Sequence, residues 1–181
     1  MVSPFLFFPG ERLALSELSA ACLDGCLVPL GEGFMPADAV ETTWMRARSL
    51  APLLGDRWAA VRNSAAWVYG GLLVEPVQHH LQRVSVTRVR ALSSPRAVVH
   101  DVRLAPADTR FVAGVHLSTP ARTLADLARS DDVREQAMAL EWAASDLRQR
   151  DAALDWIDRH PRFPHAQRGG RLLAGAASRT T

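Results

Sequence analysis

Residues 115–129 (Val-His-Leu-Ser-Thr-Pro-Ala-Arg-Thr-Leu-Ala-Asp-Leu-Ala-Arg) constrain the chain most, because they read as a strand end feeding a helix that carries a misplaced charge. Thr119 is positioned as the N-cap, and Pro120 falls at N1, where its missing N–H costs nothing. Leu124, Leu127 and Ala128 at i, i+3 and i+4 give the helix one apolar face. Arg122 sets a cation in the first turn against the helix dipole, so it requires a carboxylate or a ligand to hold it there. Asp126, one turn on, is the nearest carboxylate, and an Arg122–Asp126 ion pair pinning the helix is expected ahead of a functional surface. The whole segment is expected to dock onto the strands before it.

Residues 63–71 (Asn-Ser-Ala-Ala-Trp-Val-Tyr-Gly-Gly) supply a cap at Asn63 or Ser64, small residues for close packing and a glycine pair to stop a helix. Three β-rich runs follow, Val84 to Arg90, Ala97 to Leu104 and Phe111 to Leu117, separated by Ser93-Ser94-Pro95 and Ala105-Pro106-Ala107-Asp108. Alternation puts Val98, His100, Val102 and Leu104 on one face, which reads His100 as a hydrogen-bonded core residue among aliphatic neighbours. Arg83, Arg88 and Arg90 on the first run would make a basic edge that resists aggregation. The tandem His79-His80 falls in a polar linker after Pro76.

This order, a Ser-Ala-Ala helix, strands, then Ser-Thr-Pro-Ala-Arg-Thr-Leu-Ala-Asp-Leu, resembles the AbiEi family of antitoxins from actinobacterial type IV toxin–antitoxin systems, best between Ser64 and Arg129. His100, Asp108 and Gly114 fall where that family's pattern has His, Asp and Gly. The resemblance implies an antitoxin motif of Ser64, His100, Thr119, Arg122 and Asp126. It further implies a winged-helix DNA-binding domain ahead of the motif, repression of the protein's own operon, and opposition to a nucleotidyltransferase toxin without a need to bind it.

The N-terminal segment fits that scheme in part. Leu15 to Leu23 reads as a short helix with Ser16 as its cap, Glu17 in its first turn and Gly25 as its stop. Leu27 to Leu30, then Gly31-Glu32-Gly33, then Phe34 to Pro36 has the pattern of a small hairpin. A winged helix-turn-helix ends in this way, and Gly33-Phe34-Met35 stands where the family's wing motif would be. The chain departs from the family in having little room before residue 14 for two earlier helices. It also carries acids where relatives carry arginine: residues 1–54 hold three arginines (Arg12, Arg46, Arg48) against six acids. Phosphate neutralisation supplies most of the affinity for DNA, so the segment reads as a degenerate wing retained for packing.

All 21 basic residues are arginine. The absence of lysine excludes Schiff-base chemistry and a phosphate-loop lysine, while arginine suits forked recognition of phosphate or carboxylate. A GC-rich genome would give the same bias. From residue 159 onward stand five arginines (Arg159, Arg162, Arg168, Arg171, Arg179) and no acid, a footprint for nucleic acid or a solubilising tail. Arg12, Ser16, Arg46, Arg48, Arg162, Arg168 and Arg171 are the candidate nucleic-acid contacts. Cys22 and Cys26, four apart on the first helix, supply half a zinc set at most and read as buried small hydrophobes.

Glu41 to Leu54 reads as a second helix with Trp44, Ala47, Leu50 and Ala51 on its buried face, shortened or kinked at Pro52. Trp44, Trp58, Trp67, Trp142 and Trp156 read as core fillers rather than base-stacking platforms. After Arg129, Asp131-Asp132 opens a helix to about Asp146 with Val133, Ala137, Leu140 and Ala144 as its apolar stripe. Ala152 to Ile157 and Ala166 to Ala176 make shorter helices, the last one basic.

The expected fold is α+β, a degenerate winged-helix-like segment (1–40) packed on a mixed antitoxin domain (41–181) with a small β-sheet and several helices. An antitoxin that autoregulates its operon is the expected function, with operator DNA as a partner and the toxin as a functional partner. A protein-interaction module without DNA binding is the alternative, and a metal-dependent nuclease remnant built on Asp101, Asp108 and Asp126 a further one. No cofactor, metal or membrane partner is expected. The first ten residues lack the basic start and the apolar length of a secretory signal, so a cytoplasmic location is expected.

Overall fold

Two apolar layers, one against a sheet and one among helices, meet at a single seven-residue helix. The structure, a computed structural model, describes residues 5–87 and 94–176. Helix α1 (Leu15–Leu23) begins at Ala14, whose N–H is taken by the Glu17 carboxylate at 2.6 Å. An acid three residues into a helix reaches back to the cap N–H in this way, so Ser16 lies inside the first turn and is not the expected cap. Strands β1 (Leu27–Leu30) and β2 (Gly33–Pro36) form the expected hairpin, with Leu30 opposite Gly33. Leu6, Leu30 and Met35 join one apolar cluster with Met45, Trp58, Leu81 and Leu117, which fastens the hairpin to the sheet behind it.

The expected helix over 41–54 is two, α2 (Thr43–Ser49) and α3 (Ala51–Leu54). Pro52 has no N–H to donate to the carbonyl four residues back, and the axis breaks before it. Met45, Ala47, Ser49, Leu50, Leu53 and Leu54 are buried, whereas Trp44 is 44% exposed, so the buried face is rotated from the predicted one. Trp58, Trp67, Trp142 and Trp156 are core residues.

Strand β3 (Trp58–Ala60) went unpredicted, and α4 (Arg62–Val68) starts before both predicted caps. Strand β4 is His79–Arg83 rather than Val84 to Arg90, so the tandem histidines belong to a strand and not a linker. Arg88 and Arg90 lie outside the described residues. Strand β5 (Ala97–Arg103) is close to its predicted span. The run 111–117 is a hairpin instead of one strand: β6 (Thr109–Val112) and β7 (Val115–Ser118) turn on Ala113 and Gly114, both at positive φ (51° and 86°), the geometry of the tight hairpin turn. The sheet order is β5-β4-β3-β7-β6, with β4/β5 and β3/β7 parallel and the other pairs antiparallel.

Four helices close the fold: α5 (Pro120–Ala128), α6 (Val133–Ser145), α7 (Leu147–Arg159) and α8 (Ala166–Gly175). The predicted stripe of α6 is also rotated; Glu135, Ala139, Trp142 and Ala143 are buried and Val133 is 75% exposed. Helix α7 is longer than predicted because Asp146 caps it, accepting from the Gln149 N–H. Helix α5 is the hub of this layer, packed on α4, α6, α7 and α8 rather than flat on the sheet. The link to the sheet is α4: Trp67 and Val68 face the sheet-side cluster, while Ala66 joins Leu124, Ala125, Leu127 and Ala128. The architecture is mixed α+β, and no helix among the described residues is long and apolar enough to cross a membrane.

Candidate functional site

Arg122 has the carboxylate its position demands, and a second one besides. Its Nε donates to Asp126 Oδ2 at 2.7 Å and its Nη1 to Asp108 Oδ2 at 3.0 Å. Asp126 Oδ1 accepts from Arg129 Nε at 2.8 Å, and Asp108 Oδ1 from the Trp156 indole N–H at 2.7 Å. The guanidinium lies 4.7 Å from the Trp156 ring centre and 4.8 Å from that of Phe163. Thr119 caps α5 as predicted, accepting from the Arg122 N–H, and its own N–H donates to the Asp108 carbonyl at 2.7 Å. The knot thus joins the turn before β6 to α5, α7 and the segment after α7. Arg122, Asp108 and Asp126 are 4–6% exposed, so the knot offers nothing to an outside ligand and acts as a fastening.

Ser64 and His79 build a second fastening, which the sequence reading missed. Ser64 Oγ accepts the His80 N–H at 2.8 Å and lies 3.3 Å from His79 Nδ1. His79 Nε2 is 3.2 Å from Glu75 Oε1, which also accepts from Arg96 Nη2 at 2.5 Å. Glu75 Oε2 takes the Gly31 N–H at 2.9 Å, tying the N-terminal hairpin in. Hydroxyl, imidazole and carboxylate in line resemble a nucleophilic relay, but Ser64 and His79 are fully buried and no substrate can reach them. Burial opposes the Glu75 charge; the His79 hydrogen bond, the Gly31 N–H and Arg96 outweigh it and hold the carboxyl below its ordinary range. The signal in the sequence was the alternation of His79 with Leu81.

His100 is half-buried rather than a core residue, and Val102, predicted on its face, is 62% exposed. The pairing of β4 with β5 slips between Gln82 and Arg83, which breaks the predicted alternation. His100 Nε2 instead lies 3.1 Å from His80 Nδ1. Beside them Arg62, at positive φ, holds Glu135 and donates to Ser130 Oγ at 2.7 Å. Burial, aided by the charges of His100 and Arg62, pushes His80 down to about 4, and burial and then Arg62 lower His100. An unfolded histidine titrates near 6.5. Between pH 6.5 and about 4 the unfolded chain therefore binds protons that the folded chain refuses, so stability is full at neutral pH and lost as pH falls through this window. Urea midpoints are expected to be level from pH 8 to 7 and to drop steadily below pH 6.5. A midpoint unchanged down to pH 5 would contradict it.

The predicted nucleic-acid contacts divide into two groups. Arg46 is turned inward, donating to the Trp67 and Leu72 carbonyls at 2.6 and 3.0 Å and to Glu41 at 2.5 Å. Arg168 is likewise engaged, its Nη2 shared among the Arg129 and Ser130 carbonyls and Asp131, each at 2.8 Å. Arg12, Ser16, Arg162 and Arg171 are exposed, and Arg48 is half-buried close to Gly114. Arg179 lies outside the described residues.

Cys22 is half-buried and Cys26 exposed beyond the helix-ending Gly25, so they neither share a helix face nor serve as core residues. Among the described residues no group of three or more His, Cys, Asp and Glu is placed to hold a metal ion. Asp108 and Asp126 converge on a cation, Arg122, instead of on an open position.

No curated protein matches the chain. Residues 58–174, from β3 to α8 and including both fastenings, match the family model described as the AbiEi antitoxin C-terminal domain. With more than half of its length inside that match, the chain belongs to the AbiEi antitoxin C-terminal domain family.

Proposed function

We propose that this protein is the antitoxin of a type IV toxin–antitoxin operon, acting in the cytoplasm against a nucleotidyltransferase toxin and regulating its own transcription. The family match over residues 58–174 carries the reading. In this proposal residues 1–40 are a winged-helix-like remnant and 41–181 the antitoxin domain; α1 followed directly by the β1–β2 hairpin supplies the helix and wing. Ser64, His100, Thr119, Arg122 and Asp126 set the shape of the antitoxin lobe from within. Operator contact falls to the exposed Arg12, Arg162 and Arg171 with the half-buried Arg48, and not to Arg46 or Arg168.

Growth arrest by a nucleotidyltransferase toxin encoded in the neighbouring frame is expected to be relieved by co-expression of the full chain. Persistent arrest in the presence of soluble, folded protein would overturn the antitoxin role. Retention of the protein's own upstream DNA in a gel shift is expected at low salt and to weaken steeply as salt rises. The excess of acid in residues 1–54 favours a second reading, an antitoxin that works without DNA contact. No retention even at low salt would select it.

A further inference from the structure

The sheet face opposite the Trp67 cluster carries a feature that antitoxin identity does not use. One register row crosses all five strands, His100–Gln82–Ala59–His116–Phe111, so these side chains share a face. Residues of the adjacent row, Leu81, Ala60 and Leu117, enter the core cluster on the opposite side. Ala59, the smallest member of the row, is covered by Leu104, Val61 and Val84. Toward the β6 edge this cover stops, leaving an open cavity of about 310 Å³ lined by Val84, Leu104, Pro106, Thr109, Phe111 and His116.

Phe111 is 65% exposed there and its ring centre lies 4.9 Å from that of His116. An exposed phenyl on an edge strand, paired with an imidazole and facing aliphatic walls, is a surface on which a flat ring stacks. Among the described residues His116 Nδ1 is sealed from solvent and has no hydrogen-bond partner, so Nε2 is the nitrogen this ring can offer to a ligand. The Thr109 hydroxyl is spent on the Ala105 carbonyl at 2.9 Å. Cationic groups stand at the same end of the strands. Exposed Arg103 donates through Nε to the carbonyl of Val84, a wall of the cavity, at 3.4 Å, and the Arg57 carbonyl accepts the Val84 N–H at 2.9 Å. The acids at this end are Asp56, 3.7 Å from Arg57, and Asp101, two residues before Arg103.

We propose that this cavity is a nucleotide site, with the base stacked on Phe111 and His116 against Val84 and Leu104, and its phosphate facing Arg103. A flat ring with polar edges plus an attached phosphate satisfies the aromatic pair, the single open imidazole nitrogen and the arginine together. The volume is at the lower end of small-ligand cavities, which suits one base rather than a larger cofactor. A free mononucleotide and an unpaired base within a single strand present the same chemistry. A base paired within a duplex does not, so the site is separate from operator binding.

The test is titration of the full chain with adenosine and uridine monophosphates, and with a short fluorescent oligouridylate, followed by histidine ring NMR signals and fluorescence polarisation. Binding is expected with perturbation of the His116 signal, weakened about tenfold or more in Phe111→Ala and in His116→Ala and preserved in Phe111→Trp. Arg103→Ala is expected to weaken binding and to flatten its salt dependence. Tighter binding of the oligonucleotide identifies a strand as the source of the base; binding of the monophosphates alone identifies a free nucleotide. Phe111 is mostly solvent-exposed, so its replacement leaves the fold intact, and circular dichroism with Phe111→Leu as a second variant checks this. The proposal is overturned if neither probe binds up to about 1 mM, if Phe111→Ala and His116→Ala bind like the parent, or if inorganic phosphate displaces the nucleotides at equal concentration.

Discussion

Replacing Arg122 with methionine is expected to cost about 3–5 kcal/mol of stability, because it strands carboxylates that are almost wholly buried. The two partners are not equally exposed to the loss. Asp126 keeps Arg129, whose Nε and Nη2 lie 2.8 and 2.6 Å from it. Among the described residues Asp108 keeps only the neutral Trp156 N–H as a side-chain hydrogen bond, so its charge is the one left uncompensated. Adding Asp108→Asn to Arg122→Met is therefore expected to recover a substantial part of the deficit, since the amide oxygen still accepts from Trp156, whereas adding Asp126→Asn recovers less. Urea denaturation of the four proteins measures this, and thermal unfolding of the single variant is expected to show a drop in melting temperature of roughly 10 °C. A single variant within about 0.5 kcal/mol of the parent would show that the buried charges contribute nothing to the fold.

The same pair shows why part of the molecule was legible in its sequence and part was not. A cation opposing a helix dipole is a local contradiction, and its remedy one turn away is also local, so Arg122, Asp126 and the Thr119 cap are readable from residues 115–129. Asp108 as the second carboxylate depends on where the β6–β7 hairpin returns the chain, and that turn hinges on Ala113 in a left-handed conformation that alanine seldom adopts. The helix faces of α2 and α6 were rotated in the prediction for a related reason. Trp44 and Val133 are apolar but lie outside the packed layers, while Ser49 and Glu135 are polar yet buried, Ser49 donating to the Arg46 carbonyl and Glu135 holding Arg62. Apolar periodicity does not register a buried polar residue, whether its partner is one turn away, as for Ser49, or distant in sequence, as for Glu135. His79 was lost in the same way, since its partner Ser64 is brought to it by the crossing of α4 over β4, and Glu75, four residues before it, reads as part of the loop.

Trp67→Ala is expected to cost about 3–5 kcal/mol, the usual effect of emptying a tryptophan site in a core. Trp67 is 1% exposed, with the Arg46 guanidinium 5.4 Å from its ring centre and the His79 ring centre 6.0 Å away. Its position gives the loss a wider reach than its volume alone. Helix α4 has seven residues, and consecutive ones serve different layers, Ala66 the helical cluster and Trp67 the sheet-side cluster. On its C-terminal side Gly71 abuts Trp142 of α6 so closely that an added Cβ would stand 2.3 Å from the indole. A helix this short has no stability of its own and forms only through what it packs against. Loosening it on the sheet side must therefore release the helical side, and the chain should unfold in one transition. Fluorotryptophan NMR in urea resolves the two layers, with Trp58 reporting the sheet and Trp156 the helices. Both signals are expected to change at one midpoint in the parent, and again at one lower midpoint in Trp67→Ala. Melting of the Trp58 signal ahead of an unshifted Trp156 signal would show that the layers fold independently and that α4 does not couple them.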